Sequence, residues 1–375
     1  MRLRSVATVL GASIALGGAL VRCTLPDLPG PPNALPTRVK SARGMVVSLP
    51  AETIDRPALI ASLKEIGATT IILDSSADGT REAAADRVAL AIELQREVGL
   101  SDAAILIGTY RARKYEGKPM DDLMKPDPGF AVCYPGGPAL DAAMAIIDKL
   151  RLCSQAVSAK VAEALTAANA SPRIGCYITH EPELTDTLSE TGRAKLADLL
   201  RDSAGACTAA KRNVAYSTLV TPASGDPSVA ARILRDLLPA TGVNHVLVRD
   251  GVGTSAPTNP VRASVYYQSL RTALVDRPAV INVWADVESF DCEAPDCART
   301  HPTTADRFRK QLCGAQNRVE VMVTREYLHD FAGRPLVTTA GDASPDLQVI
   351  LDDSDASAQL RSGYLAWADG GPPCP

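Results

Sequence analysis

The amino-acid sequence predicts an α/β fold, a (β/α)8 TIM barrel in a single domain with a C-terminal extension. Eight short runs rich in β-branched residues alternate with longer Ala- and Leu-rich helical patterns. Strands joined by helices pair in parallel through right-handed crossovers, and eight such strands close a barrel. The alternative, an open doubly wound sheet, usually carries a glycine-rich phosphate loop after its first strand. Here no glycine follows the first run until Gly67.

The predicted elements follow one another without an internal repeat. The predicted strands are Met45–Leu49, Thr69–Leu73, Ala104–Gly108, Arg173–Thr179, Val214–Val220, Val243–Val248, Val280–Ala285 and Val319–Val323. The predicted helices are Arg56–Ile66, Ala83–Val98, Ala139–Ala168, Leu188–Ala210, Pro227–Leu238, Pro260–Val275 and Thr304–Ala315. We expect the barrel to cover 43–326. The extension, 327–375, has a helical patch at Ser354–Ala368 and is expected to pack on the barrel.

The N-terminal segment has the pattern of an export signal. Two arginines precede an apolar run, Val6–Val21, which is shorter than the roughly 20 residues of a spanning helix. Residues 1–22 are therefore predicted to be a signal peptide, with a retained membrane anchor as the alternative. The next segment, 23–42, contains five prolines and is predicted to be a stiff spacer. We expect an exported protein, periplasmic or extracellular, whose contact with a membrane is limited to an uncleaved anchor.

Cysteine usage agrees with export, because an oxidising compartment permits disulfides. Cys292 and Cys297 flank a short turn that contains Pro295, and they are the predicted disulfide pair. The sequence leaves the other pairings open. Cys176 lies in an apolar strand pattern, where both a disulfide and a buried free thiol remain open.

Charge and motifs exclude several function classes. The formal net charge is only -4, without the clustered Lys and Arg expected of a nucleic-acid-binding protein. The four histidines are scattered, so no metal site is expected. The chain lacks a P-loop, a dinucleotide fingerprint and a Gly-x-Ser-x-Gly elbow. We therefore expect no cofactor and no serine-esterase chemistry, and we expect a monomer.

Acidic residues stand where the fourth and seventh predicted strands end, and active sites of barrel enzymes form at such strand ends. Side chains alternate between the two faces of a strand. In the seventh strand the predicted inward set is Asn282, Trp284, Asp286 and Glu288. In the fourth strand the predicted inward set is Gly175, Tyr177, Thr179 and Glu181. Glu181 and Glu288 are thus predicted to face each other at the top of the barrel.

Two facing carboxyl groups match the needs of glycosidic cleavage. One group donates a proton to the leaving oxygen, while the other attacks the anomeric carbon or activates water. Like-charge coupling and partial burial separate the pKa values of such a pair. The structural alternative is that both carboxylates are solvated or bridged to Arg and Lys.

Three segments carry a resemblance to a known family. The runs YITHE (177–181), VRDGVG (248–253) and VWADVESF (283–290) resemble a family of exported bacterial barrel proteins of unknown function, which is classed with barrel glycosidases. The resemblance covers residues 43–327. The pattern is also similar to retaining glycosidases that place an acid/base on strand four and a nucleophile on strand seven. This similarity implies Glu181 as acid/base and Glu288 as nucleophile. Those enzymes usually have Asn before the acid/base, whereas this chain has His180.

Six further residues are candidates for substrate binding: Asp250, Asp286, His180, Trp284, Tyr177 and Tyr216. Asp250 either binds sugar hydroxyls, orients Glu288 or caps a turn. Asp286 either holds substrate or forms hydrogen bonds within the barrel. For Trp284 the alternative to stacking on a sugar is packing inside the barrel, and packing is also the alternative for the two tyrosines and His180.

The sequence therefore predicts a retaining glycoside hydrolase that acts on an extracellular or envelope polysaccharide. The alternative is a non-catalytic polysaccharide-binding barrel in an export or biofilm system. Aromatic residues make up only 4% of the chain, which weighs against a sugar site with stacking platforms. A third possibility is a scaffold barrel that works through a protein partner, because a barrel fold does not imply catalysis.

Overall fold

The computed structural model describes a barrel and its surrounding helices. The described residues are 41–49, 54–75, 81–100, 105–134, 136–185, 187–221, 225–254, 257–274, 281–292, 300–325, 336, 354–370 and 374. All of them belong to one compact unit that spans 35–375. The predicted signal or anchor and almost all of the spacer lie outside the described residues.

Eight parallel strands form a closed ring, as the sequence predicts. The barrel strands are β1 (Ser41–Leu49), β2 (Thr70–Ser75), β3 (Ile105–Gly108), β4 (Ile174–Ile178), β5 (Val214–Leu219), β6 (His245–Arg249), β7 (Asn282–Glu288) and β10 (Val321–Arg325). The ring order is β1-β10-β7-β6-β5-β4-β3-β2, so the first and last barrel strands pair. A small antiparallel hairpin, β8 (Phe290–Cys292) and β9 (Thr300–Pro302), follows β7.

Helices surround the ring. They are α1 (Arg56–Glu65), α2 (Arg81–Val98), α3 (Met120–Leu123), α4 (Ile146–Ala167), α5 (Glu190–Ala209), α6 (Pro227–Leu237), α7 (Pro260–Leu274), α8 (Ala305–Ala315) and α9 (Ser354–Ala368). Asp55 and Ser189 cap the N-termini of α1 and α5 by accepting hydrogen bonds from backbone N–H groups. No helix within the described ranges combines the length and apolarity needed to cross a membrane.

Helix α4 starts later than its predicted position at Ala139. The side chain of Asp141 accepts a hydrogen bond from the backbone of Ala143 at 2.9 Å, and the carbonyl of Asp141 accepts one from Met144. This local turn competes with helix formation. We call the segment between β3 and α4 the β3 excursion (109–145). Its described residues form a 3-10 turn at Arg113–Tyr115, the short helix α3, other turns and isolated bridges.

The strand alternation divides the core into two parts. One residue from each barrel strand contributes to the inner core: Val46, Ile72, Leu106, Tyr177, Ala215, Leu247, Trp284 and Val323. The residues of opposite phase, such as Ile178 and Val283, pack between the strands and the helices. The inward and outward faces predicted for the fourth and seventh strands agree with this division. Inward-pointing side chains that lie closer to the carboxyl ends of the strands than this layer therefore point towards the mouth of the barrel.

Disulfides connect the barrel to its outer elements. Cys133–Cys153 joins the β3 excursion to α4, Cys176–Cys207 joins β4 to α5, and Cys313–Cys374 joins α8 to the C-terminal segment. The free-thiol alternative for Cys176 is therefore wrong. Cys292 is also disulfide-bonded, while its predicted partner, Cys297, lies outside the described residues. In the extension, α9 packs on α8 through Tyr364, whose ring centroid lies 6.1 Å from that of Phe308.

Candidate functional site

Glu181 and Glu288 both contact the guanidinium of Arg249 at the carboxyl ends of the strands. Glu288 is the last residue of β7, Arg249 is the last residue of β6, and Glu181 follows β4. Arg249 Nε lies 2.5 Å from Glu288 Oε1, and Arg249 Nη1 lies 3.2 Å from Glu181 Oε2. The two glutamates are 3% and 0% exposed. One planar cation thus brings together two side chains that are distant in sequence.

The loop after β6 holds Glu288 from the other side. The backbone N–H of Gly253 donates to Glu288 Oε2 at 2.6 Å. A Cβ at Gly253 would lie 2.1 Å from the carbonyl oxygen of Phe290, so the close approach requires glycine. Gly251 has a φ of +63°, and a Cβ there would lie 2.0 Å from the carbonyl oxygen of Val220. The VRDGVG run is therefore a tight loop built against the end of β7.

Glu181 has its own set of neighbours. Ser217 on β5 donates its hydroxyl to Glu181 Oε1, and Arg325 Nη2 lies 4.0 Å from the same oxygen. The backbone N–H of Gly117 in the β3 excursion donates to the carbonyl of Glu181 at 2.8 Å. Three different elements therefore fix Glu181, which limits the conformations that its side chain adopts.

The ion pairs around the two glutamates form a continuous buried network, which we call the mouth network. Its members are Asp74, Glu116, Glu181, Asp286 and Glu288 with Arg111, Arg249 and Arg325. Asp74 joins Arg111 to Arg325, because Asp74 Oδ2 accepts from Arg111 at 2.6 Å and from Arg325 at 3.2 Å. Within the described ranges, no group of three or more His, Cys, Asp and Glu side chains is arranged to hold a metal ion.

Burial and charge shift several pKa values around the mouth network. Burial raises the pKa of Asp286, and Arg325 opposes this effect. Burial also opposes ionisation of Glu116, but Arg111 and Arg249 lower the pKa of Glu116 to about 2. Burial, followed by repulsion from Glu288, raises the pKa of Asp250 to about 8. Carboxyl groups within a short distance of one another thus differ strongly in acidity.

Three of the predicted binding residues lie inside the barrel. Asp286 contacts Arg325, and the hydroxyl of Tyr177 accepts a hydrogen bond from Arg325 at 3.0 Å. Trp284 belongs to the inner core and its ring centroid lies 4.7 Å from that of His245. Trp284 is 4% exposed, so it is packed among barrel side chains. The structure thus matches the packing alternative for Trp284 and the hydrogen-bonding alternative for Asp286.

Asp250 and Tyr216 lie on the outer side of the ring. Tyr216 packs in the core between strands and helices, while its neighbour Ser217 faces the mouth. Asp250 accepts a hydrogen bond from Gln311 of α8 at 2.7 Å and one from the backbone N–H of Glu288 at 3.4 Å. Asp250 is therefore placed to orient Glu288, which is one of the alternatives left open by the sequence.

His180 lies beside the β3 excursion. Its ring centroid is 6.0 Å from that of Tyr110, which in turn stacks with Phe130. Burial lowers the pKa of His180 to about 4, and Glu116 opposes this effect. Its Nε2 atom is buried without a hydrogen-bond partner among the described residues. His180 therefore has a neutral imidazole, next to Glu181 in the sequence, whose Nε2 is not engaged by the described residues.

Sequence reasoning missed most of the mouth network, namely Asp74, Arg111, Glu116, Arg249 and Arg325, and it also missed Ser217 beside Glu181. A signal for several of them exists in the strand alternation. Arg249 lies two residues after Leu247, and Arg325 lies two residues after Val323. Both arginines therefore point inwards, as Leu247 and Val323 do. Extending the alternation of β4 and β7 to the other strands would have found both arginines. Arg111 and Glu116 lie in the irregular β3 excursion, where no periodic pattern exists.

Comparison with known families identifies the chain. Residues 148–337 match the family described as "Domain of unknown function (DUF4434)", and this match covers slightly more than half of the 375 residues. The chain belongs to the DUF4434 family. The matched region of this DUF4434 protein contains Glu181, Arg249 and Glu288, which are three members of the mouth network.

Solved structures similar to the DUF4434 protein are glycoside hydrolases. A provisionally named α-L-fucosidase from Bacteroides thetaiotaomicron aligns with a TM-score of 0.54 at 12% identity, over 87% of this chain and 97% of that one. A glycoside hydrolase family 5 enzyme from Prevotella bryantii aligns at 0.47 and 13%, over 88% and 98%. The PgaB glycoside hydrolase domain from Bordetella bronchiseptica aligns at 0.43 and 10%, over 86% and 99%. No curated protein matches the chain in sequence. At these identities the likeness concerns the fold.

Proposed function

We propose that this DUF4434 protein is a retaining glycoside hydrolase of an extracellular or envelope polysaccharide, with Glu181 as acid/base and Glu288 as nucleophile. The observation that carries the proposal is that both glutamates contact one guanidinium, that of Arg249, at the carboxyl end of the barrel. Retaining chemistry needs two carboxyl groups roughly 5–5.5 Å apart on either side of one glycosidic bond. Contacts to neighbouring nitrogens of a single guanidinium support this spacing.

The charge count of the mouth network supports acid catalysis. Five carboxyl groups share three guanidinium groups. If every group were charged, the buried network would carry an excess of negative charge, and that excess favours uptake of a proton by one of the carboxyl groups. A shared proton in this position is what a general acid requires.

The proposed reaction uses the two glutamates in turn. Glu181 donates its proton to the glycosidic oxygen as the bond between that oxygen and the anomeric carbon breaks. Glu288 attacks the anomeric carbon and forms a glycosyl ester. Glu181 then removes a proton from water, which displaces Glu288 and releases the sugar with its original configuration. Arg249 and the N–H of Gly253 hold the carboxylate of Glu288 for this attack.

His180 is proposed to contact the sugar bound against Glu181. The buried Nε2 of this residue forms no hydrogen bond within the described part of the chain, and an unsatisfied buried polar atom is unfavourable unless a ligand or water satisfies it. The disulfides support a location outside the cytoplasm, since such bonds persist in oxidising compartments.

A non-catalytic polysaccharide-binding barrel is the second candidate. The observation in its favour is the burial of both glutamates against Arg249, which is also the arrangement of a structural ion-pair network. Such a protein would bind a glycan without cleaving it.

The test is a screen of the purified protein against a panel of bacterial exopolysaccharides, with released ends and bound glycan measured separately. We expect cleavage by the wild type, no turnover by Glu288→Gln, and unchanged cleavage by the exposed control Glu190→Gln. Proton NMR of the first product should show the anomer of the substrate. Binding without cleavage would support the second candidate, and an inverted first product would refute the retaining assignment.

A further inference from the structure

Asp250 is a buried carboxyl group that stands next to the mouth network but outside it. The residue directly follows Arg249 and is 1% exposed. Because successive side chains point to opposite faces, Asp250 points away from the mouth and towards α8. There its Oδ2 atom accepts a hydrogen bond from Gln311 Nε2 at 2.7 Å.

Asp250 and Gln311 together bind the main chain of Glu288. Asp250 Oδ1 accepts from the backbone N–H of Glu288 at 3.4 Å, and Gln311 Nε2 donates to the carbonyl of Glu288 at 3.1 Å. The N–H of Asp250 also donates to the carbonyl of Asp286 at 3.0 Å. The two side chains thus hold both peptide groups of the residue that ends β7.

Burial and the neighbouring carboxylate of Glu288 disfavour a negative charge at Asp250, whereas the N–H groups of Gln311 and Val252 that donate to it favour one. From β7 it faces Glu288, from α7 Tyr267, and from α8 Gln311 and Arg307. The nearest cation, Arg307, is engaged elsewhere, since its guanidinium contacts the Phe290 carbonyl at 2.5 Å, Asp291 at 3.4 Å and the Thr303 hydroxyl. No salt bridge to Asp250 occurs among the described residues. A buried carboxylate without a cation and beside a second carboxylate is unfavourable.

We propose that Asp250 and Gln311 form a positioning pair for the main chain of Glu288, and that Asp250 serves in it as the uncharged carboxylic acid. The pKa of Asp250 is shifted upward by burial and by Glu288, and this shift exceeds the opposing effects of Gln311, Val252 and Arg307. The effect on turnover rests on the proposed hydrolase function, whereas the protonation state and the position of Glu288 do not.

The protonation state is tested by stability, without a substrate. A carboxyl group that binds its proton more tightly in the folded state stabilises the protein at low pH and loses this contribution as pH rises. The melting temperature of the wild type should therefore fall relative to that of Asp250→Asn between pH 4 and about pH 8. The control Asp306→Asn, an exposed residue on α8, should parallel the wild type. Parallel curves for wild type and Asp250→Asn would overturn the uncharged state.

The positioning role is tested by the isosteric variants. Asp250→Asn keeps a neutral group of the same shape, so its kcat should stay constant between pH 6 and pH 9, whereas the kcat of the wild type declines over this range. Gln311→Met removes the contact to Glu288, and we expect a loss of about 100-fold in kcat with little change in KM. A crystal structure of Gln311→Met should show Glu288 displaced from Gly253. An unmoved Glu288 would overturn the role even if no glycan is cleaved, and a kcat of Asp250→Asn that declines with pH in parallel with the wild type would overturn the uncharged state.

Discussion

The backbone N–H of Gly253 donates a hydrogen bond to Oε2 of Glu288, with a nitrogen–oxygen distance of 2.6 Å. This contact depends on the absence of a side chain, because a Cβ at Gly253 would meet the carbonyl oxygen of Phe290 at 2.1 Å. The carbonyl oxygen of Phe290 also accepts a hydrogen bond from Arg307 at 2.5 Å. The loop after β6 and the hairpin after β7 are therefore fitted to each other around one carboxylate.

The first prediction concerns this glycine. Gly253→Ala should displace the loop from Glu288, lower kcat on a cleaved glycan by about 100-fold and reduce the melting temperature. The control is Gly205→Ala on α5, where a Cβ would meet no atom within 4 Å, and alanine favours the helix by up to about 1 kcal/mol. Equal behaviour of the two variants would contradict the close approach at Gly253.

The second prediction concerns the buried cation. Arg249→Met leaves Glu181 and Glu288 without their shared partner, and loss of one member of a buried ion pair costs about 3–5 kcal/mol. Urea denaturation should report this loss in the free energy of unfolding. The control is Arg201→Met, because the pair of Arg201 with Asp198 is exposed and worth at most about 1 kcal/mol.

A compensating variant sharpens the second prediction. Adding Glu288→Gln to Arg249→Met removes one of the carboxylates that lost this cation, so the double variant should be more stable than Arg249→Met alone. If the changes in the free energy of unfolding were strictly additive in the double variant, the two side chains would not be energetically coupled. The contact between Arg249 and Glu288 would then not contribute to stability.

The third prediction is loss of stability in acid. Burial lowers the pKa of His180 and of His245 from 6.5 to about 4. The folded protein keeps both imidazoles neutral, while the unfolded chain takes up protons below about pH 6.5. The stabilisation is therefore present above pH 6.5 and declines as pH falls towards 4, by up to about 1.4 kcal/mol per pH unit for each group.

Melting curves at pH 4–7 measure this effect. His180→Gln and His245→Gln should each show a shallower decline than the wild type, and the double variant should be shallower still. A wild type whose melting temperature is constant over this range would contradict the buried neutral state of both residues.

The fourth prediction concerns the disulfide between β4 and α5. Cys176 and Cys207 are separated by 31 residues, and closure of a loop of this order stabilises a protein by about 3–4 kcal/mol. Cys176→Ala combined with Cys207→Ala should lower the free energy of unfolding accordingly. Turnover at 25 °C should persist, because Cys176 points away from the mouth. Loss of activity in a folded double variant would show that the disulfide also shapes the site.

The sequence was sufficient to predict the barrel, and it also led to the prediction that Glu181 and Glu288 face each other, two residues that both contact Arg249 in the structure. Both predictions depend on the period-two alternation of strands, which is a local property. Trp284 and Glu288 share a phase in the sequence, and they share the inner side of the ring in the structure.

Contacts made by loop residues could not be predicted from the alternation of strand side chains. Glu116 reaches Arg249 only because the β3 excursion folds back over the barrel, and no periodic pattern sets that path. Tyr216 shows a different limit of the prediction, which concerns the direction of a side chain within a strand. Tyr216 directly precedes Ser217 in β5, and successive side chains of a strand point to opposite faces. Ser217 therefore faces the mouth, while Tyr216 packs in the outer core. A position near a strand end therefore predicts a site residue only when the direction of its side chain is also known.

The pairing of β1 with β10 also has a kinetic consequence. These strands come from opposite ends of the barrel sequence, so the ring cannot close until β10 has been synthesised. Until then β1 and the strand next to the gap carry unpaired edges, which are sites of aggregation. A topology with such distant contacts also folds slowly.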